Sequence, residues 1–136
     1  MLQQIDTCCQ QAGIWPDLIM SGHAHLYERY TRVMKADGRQ IPCVVAGNGG
    51  YYNLTKLMST AAGVKPKAGH HSEPDGLGNT VKLDQYNDTS YGYLRITVSA
   101  TTIVVESLGV SLTAPTATPT LLDQFTVNLA KHRVTT

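Results

Sequence analysis

The apolar positions follow a helical spacing at the start of the chain and a strand-like spacing over most of the rest. Leu2, Ile5, Cys9 and Ala12 recur every three or four residues among glutamines, and Gly13 with Pro16 beyond it stops the run, so a helix is predicted over 2–12. Asp17-Leu18-Ile19-Met20 is too short for a helix and lies between Pro16 and Gly22, which predicts a buried strand. It hands over to a loop at Ser21-Gly22-His23-Ala24-His25. A second strand is expected over Tyr30–Met34, a turn at Asp37-Gly38, and a third strand over Cys43–Ala46. That run stops at Gly47-Asn48-Gly49-Gly50, a backbone that glycine and asparagine tolerate well.

Residues 51–90 carry few apolar positions and many Gly, Lys, Asp, Asn and His, and read as a long loop excursion. Alternation resumes in Tyr91–Val98 and Thr101–Glu106, two strands split by a Ser99-Ala100 hairpin turn. Thr113–Thr120 is a Pro/Thr-rich loop, and Leu122–Leu129 closes the chain as a strand in which Phe125 and Val127 alternate with Thr126 and Asn128. No internal repeat is visible. The expected architecture is one α+β domain over residues 1–136, a mainly antiparallel sheet of about five or six strands with the N-terminal helix on one face.

Composition narrows the function classes. The chain has 136 residues, 42% hydrophobic and 15% charged, enough apolar material for one real core. Its 11 basic and 10 acidic residues give a net charge of +1, which excludes nucleic-acid or acidic-membrane binding driven by bulk charge. No run of about 18 apolar residues exists, so no transmembrane helix is expected. The first residues lack a basic region and an apolar stretch, so no secretory signal is expected and the cytoplasm is the default location. Cys8, Cys9 and Cys43 are odd in number and two are adjacent, which does not read as a disulfide framework or a zinc site.

Candidate chemistry centres on His23-Ala24-His25. On an extended segment, residues i and i+2 project to the same side with Cα atoms roughly 6.5 Å apart. Two imidazoles so placed can converge on two metal ions about 3.5–4 Å apart, the spacing of two-metal hydrolytic sites. Gly22 before them lets the backbone turn. A bare His-x-His pair is common and usually binds nothing. His70-His71 reads as a pair of surface loop histidines, and His132 as exposed.

The surrounding string is more specific. Asp17-Leu18-Ile19-Met20-Ser21-Gly22-His23-Ala24-His25-Leu26-Tyr27-Glu28-Arg29 resembles the last metal-binding motif of calcineurin-like metallophosphoesterases, closest to the purple acid phosphatase branch. Val44–Gly50 resembles the strand and glycine-rich loop that follow in that branch, and Ser90–Val98 a strand of its C-terminal sheet. The resemblance covers residues 2–52 and 86–130 and implies a metal-dependent, acid phosphatase-like phosphoester hydrolase. It implies His23 and His25 as ligands of a metal pair drawn from Fe, Zn or Mn, Glu28 and Arg29 behind those ligands, and Asn48 and Tyr51 on the loop facing substrate. In the family this sheet would be half of a two-sheet sandwich.

The other ligand motifs of the family do not occur here: neither Gly47-Asn48-Gly49 nor Gly78-Asn79-Thr80 continues to histidine, and Asp17 precedes its strand. The expectation is therefore the C-terminal part of a phosphoesterase catalytic domain, inactive alone and acting on a phosphoester when completed by an N-terminal half. An isolated half would expose an apolar face, covered by residues 51–90 or by self-association. The alternatives are a non-catalytic α+β binding or interaction module with a vestigial His-x-His metal site, or a weak metal-binding protein of unrelated function.

Overall fold

A computed structural model describes residues 2–50, 53–114 and 116–136. The chain begins with helix α1 (Leu2–Ala12) and continues through β1 (Ile19–Ser21), β2 (Tyr27–Val33), β3 (Gln40–Ala46), β4 (His71–Pro74) and β5 (Thr80–Asn87). It ends with β6 (Tyr91–Val98), β7 (Thr102–Val110), β8 (Thr120–Asn128) and β9 (Arg133–Thr135). The fold is α+β with mainly antiparallel pairing. Its strands divide into a five-stranded sheet, β1-β3-β2-β5-β4, and a four-stranded sheet, β6-β7-β8-β9, in place of a single sheet. Only β1 and β3 pair in parallel among the described strands. No described helix is long and apolar enough to cross a membrane.

The helix ends as its sequence predicts. Gly13 takes φ 66°, its amide donates to the Gln10 carbonyl and the Ile14 amide donates to that of Cys9. This pair of bonds caps two of the free carbonyls of the last turn. The helix docks on the five-stranded sheet through charge: Arg32 of β2 donates to both oxygens of buried Asp6 at 2.7 and 2.6 Å and also holds Asp75 at 2.7 Å.

The two sheets meet across a core of Tyr27 and Val44 on one side and Val105, Phe125 and Val127 on the other. Fully burying such side chains stabilises the fold by about 1.5–3 kcal/mol each. Beside this core lies a charged seam. Arg29 of β2 binds Asp123 of β8 through Nε at 2.7 Å and Nη2 at 3.2 Å, reaches Asp84 of β5 at 3.2 Å, and stacks 4.8 Å from the centre of the Phe125 ring. The Tyr27 hydroxyl donates to Asp123 at 2.7 Å, and burial with that carboxylate beside it pushes the phenol up.

Two local expectations are corrected. The strand at Ile19–Ser21 is not buried: it is an edge strand paired with β3 alone, and Met20 is 54% exposed. Residues 51–90 are not one loop excursion, because β4 and β5 lie within them and β5 pairs along the whole of β2. A register shift opposite Arg29 and Tyr30 leaves Asp84 as the extra residue of β5, with its carboxylate on Arg29 and Thr31. A bulge of this kind re-aims a side chain and breaks the two-residue alternation.

Candidate functional site

Strands β1, β3 and β5 run in one direction, since β1 is parallel to β3 and both β3 and β5 are antiparallel to β2. Their C-terminal ends therefore form one rim with the start of β2. Three loops leave from it: 22–26, 47–50 and 88–90. They are cross-linked by the Gly47 amide donating to Leu26, the Gly92 amide to Asn48, and the Asn48 side chain to Ser90 at 3.1 Å.

His23 and His25 occupy the first of these loops, which is bent and not extended as the sequence suggests. The Ala24 amide donates to the Gly22 carbonyl at 3.1 Å across His23, and the Leu26 amide to the Ala24 carbonyl at 2.8 Å across His25. Each histidine is thus the apex of a three-residue turn. The turn at His23 has φ 79°, the rarer and more strained hand. The same-side geometry of an extended His-x-His does not apply to two such apices.

Two distant residues hold this conformation. A Cβ on Gly47 would lie 1.9 Å from the Ala24 carbonyl oxygen, so only glycine lets β3 end against the histidine loop. Thr55 brackets His25, its amide donating to the His25 carbonyl at 2.9 Å and its hydroxyl accepting from the His25 amide at 3.3 Å. Asp88 ties down the segment after Thr55: it accepts from the Leu57 amide at 3.1 Å and from Lys65 at 2.5 Å, while Lys56 donates to its carbonyl at 2.6 Å. Neither Thr55 nor Asp88 stands out in the sequence, because both lie in a polar stretch with no periodic signal.

The remaining candidates separate. Glu28 and Arg29 are neighbours on β2 and so point to opposite faces. Arg29 enters the seam between the sheets and spends its guanidinium on Asp84 and Asp123. Glu28 lies on the other face beside Tyr30; burial pushes its carboxyl up while a hydrogen bond from Tyr30 draws it down. The Tyr30 phenol is itself pushed up to about 12 by burial and by Glu28 beside it. Asn48 is 3% exposed and serves as a staple between the glycine loop and the start of β6. Tyr51 lies outside the described residues.

Of the other histidines, His70 is exposed in a turn, whereas His71 lies in β4 with Nε2 3.1 Å from Glu73. His132 is partly buried, contrary to expectation, with Nδ1 2.8 Å from Asp17. Among the described residues no group of three or more His, Cys, Asp or Glu side chains is placed to hold a metal ion, and the turn that carries His23 and His25 brings no third such side chain to them. No family model, curated protein or solved structure matches the chain.

Proposed function

We propose that the chain is part of a metal-dependent phosphoester hydrolase of the purple acid phosphatase type, to which it contributes His23 and His25 as metal ligands. The observation that carries this reading is their place. Both are turn apices on the rim formed by the C-terminal ends of the parallel strands β1 and β3. In open sheets with parallel strands, ligands bind in the crevice beyond those ends. The positive φ of His23 points the same way, since strained backbone persists where surrounding contacts fix it and gathers at functional sites.

A metal pair supplies Lewis acidity and a nucleophilic hydroxide when bound. The residues of this chain do less: neutral imidazoles donate lone pairs, Gly47 and Thr55 fix the two rings' backbone, and Gly49 and Gly50 keep side chains off the loop beside them. The remaining ligands come from polypeptide beyond these residues or from a partner, and the chain alone does not turn over.

Titration with zinc and manganese, followed at the histidine side-chain resonances, tests the reading. The His23 and His25 signals should shift together, and His23→Ala should abolish the shift at His25. Aryl phosphate hydrolysis by the chain alone should stay at background. Unmoved signals at both histidines, or turnover that survives His23→Ala, would remove the site.

A further inference from the structure

The face of the five-stranded sheet turned away from the second sheet carries a groove of about 390 Å³, the size of a small-molecule pocket. It is walled mainly by Leu26, Leu57, Met58 and Leu83. Leu26 and Leu83 are 2% exposed and Leu57 7%, so most of this wall belongs to the packed fold; Met58, at 81%, forms its exposed lip.

Five titratable groups face the groove. On β4, His71 and Glu73 pair with each other at 3.1 Å. On the segment after Thr55, Lys56 is engaged with Asp88. On β2, Glu28 and Tyr30 stand side by side, and among the described residues the phenol is the hydrogen-bond partner of the Glu28 carboxylate. Glu28 is thus a half-buried carboxylate beside an aliphatic wall, and among the described residues no cation pairs with it, since Lys56 and His71 in the same groove are engaged with Asp88 and Glu73. A desolvated charge left without a counter-charge is unfavourable, and folded chains ordinarily pair it.

We propose that this groove binds a small organic ammonium ion, with the Glu28 carboxylate as its counter-ion and the aliphatic wall around its alkyl groups. A hydrated metal ion is a poor fit, because it wants several oxygen ligands and the groove offers one unpaired carboxylate. An uncharged guest would leave the carboxylate uncompensated. The Tyr30 ring, in the same wall, adds the attraction of an aromatic face for a cation. The site stands on Glu28, Tyr30 and the aliphatic wall alone, and holds whether or not the two histidines bind metal.

Choline and neohexanol, its uncharged carbon analogue, probe this directly in calorimetric and NMR titrations of the full chain. Choline should bind about tenfold more tightly than neohexanol, a difference of about 1.4 kcal/mol, and should move the Tyr30 and Glu28 resonances. Glu28→Gln, nearly the same shape, should erase the difference and leave neohexanol unchanged. Met58→Trp, at an exposed position the fold does not depend on, should weaken both by filling the groove. Phosphatidylcholine vesicles should not co-sediment with the chain, because the groove admits a free ion and not a bilayer surface. Equal binding of the two probes, a preference for choline that survives Glu28→Gln, affinity untouched by Met58→Trp, or vesicle binding without free choline binding would each overturn the proposal.

Discussion

His23 holds φ at 79°, and the other described non-glycine residue with positive φ is His132 at 49°. A side chain in this region costs roughly 1–2 kcal/mol through contact of its Cβ with the following carbonyl. Glycine escapes that contact but gives the unfolded chain more freedom, worth about 0.5–1 kcal/mol. His23→Gly should therefore stabilise the protein by up to about 1 kcal/mol while removing a proposed ligand. Urea midpoints at unchanged slope measure it; a clear loss of stability would mean that the imidazole itself holds the loop. The His-x-His pair was legible in the sequence as chemistry, but its geometry was not. What bends the segment is the Gly47 backbone packed against the Ala24 carbonyl, 23 positions away, and the Thr55 bonds to His25, 30 positions away, contacts that no local pattern encodes.

At the scale of elements, the parts that hydrophobic spacing reveals are those whose buried face is apolar and whose ends carry a turn residue. Helix α1 and the strands β2, β3, β6, β7 and β8 all fall within or beside their predicted ranges. Strand β5 escapes because Leu83 is its one fully buried apolar residue and the bulge at Asp84 breaks the two-residue alternation, placing a carboxylate on Arg29 and Thr31. The docking of α1 depends on charge too. Arg32 links Asp6 of the helix to Asp75, which also anchors the turn before β5 by accepting from the Leu77 and Asn79 amides.

Burial pushes the Asp75 carboxyl up, but the bonds from Asn79, Leu77 and Arg32 outweigh it and hold the group at about 2. A carboxyl lowered on folding contributes stability that is complete above its unfolded value and is lost as pH falls through its folded one. For Asp75 that window runs from its ordinary 3.8 down to about 2. Stability should fall with acid across this range, and Asp75→Asn should flatten the fall. Urea midpoints of the two proteins between those values test it; parallel curves would assign the acid sensitivity elsewhere.

At the scale of the molecule, the seam decides whether the two sheets behave as one body. Arg29 and Asp123 are 94 positions apart, and each looks like an ordinary exposed charge within its strand. Their pairing became visible only once the fold set β2 against β8. Both are nearly solvent-free, with side chains 4% and 8% exposed, so neither charge can fall back on water. Removing one member of a buried pair costs about 3–5 kcal/mol, whereas replacing the pair with apolar residues can be nearly neutral.

Arg29→Met should approach the upper part of that range, because it takes the cation from Asp123 and leaves Asp84 only the more exposed Lys82. Asp123→Leu should cost less, because Arg29 keeps Asp84 and the Phe125 ring. The double variant should lose clearly less than the sum of the two, since no unpaired Asp123 or Arg29 remains. The fluorescence of Trp15, ahead of the first sheet, and the circular dichroism of all the strands should move together in each unfolding curve. Additive losses within about 0.5 kcal/mol would mean that the two residues act independently. Separate transitions would mean that the sheets are held by less than the seam implies, with Tyr27, Val44, Val105, Phe125 and Val127 alone too few to couple them.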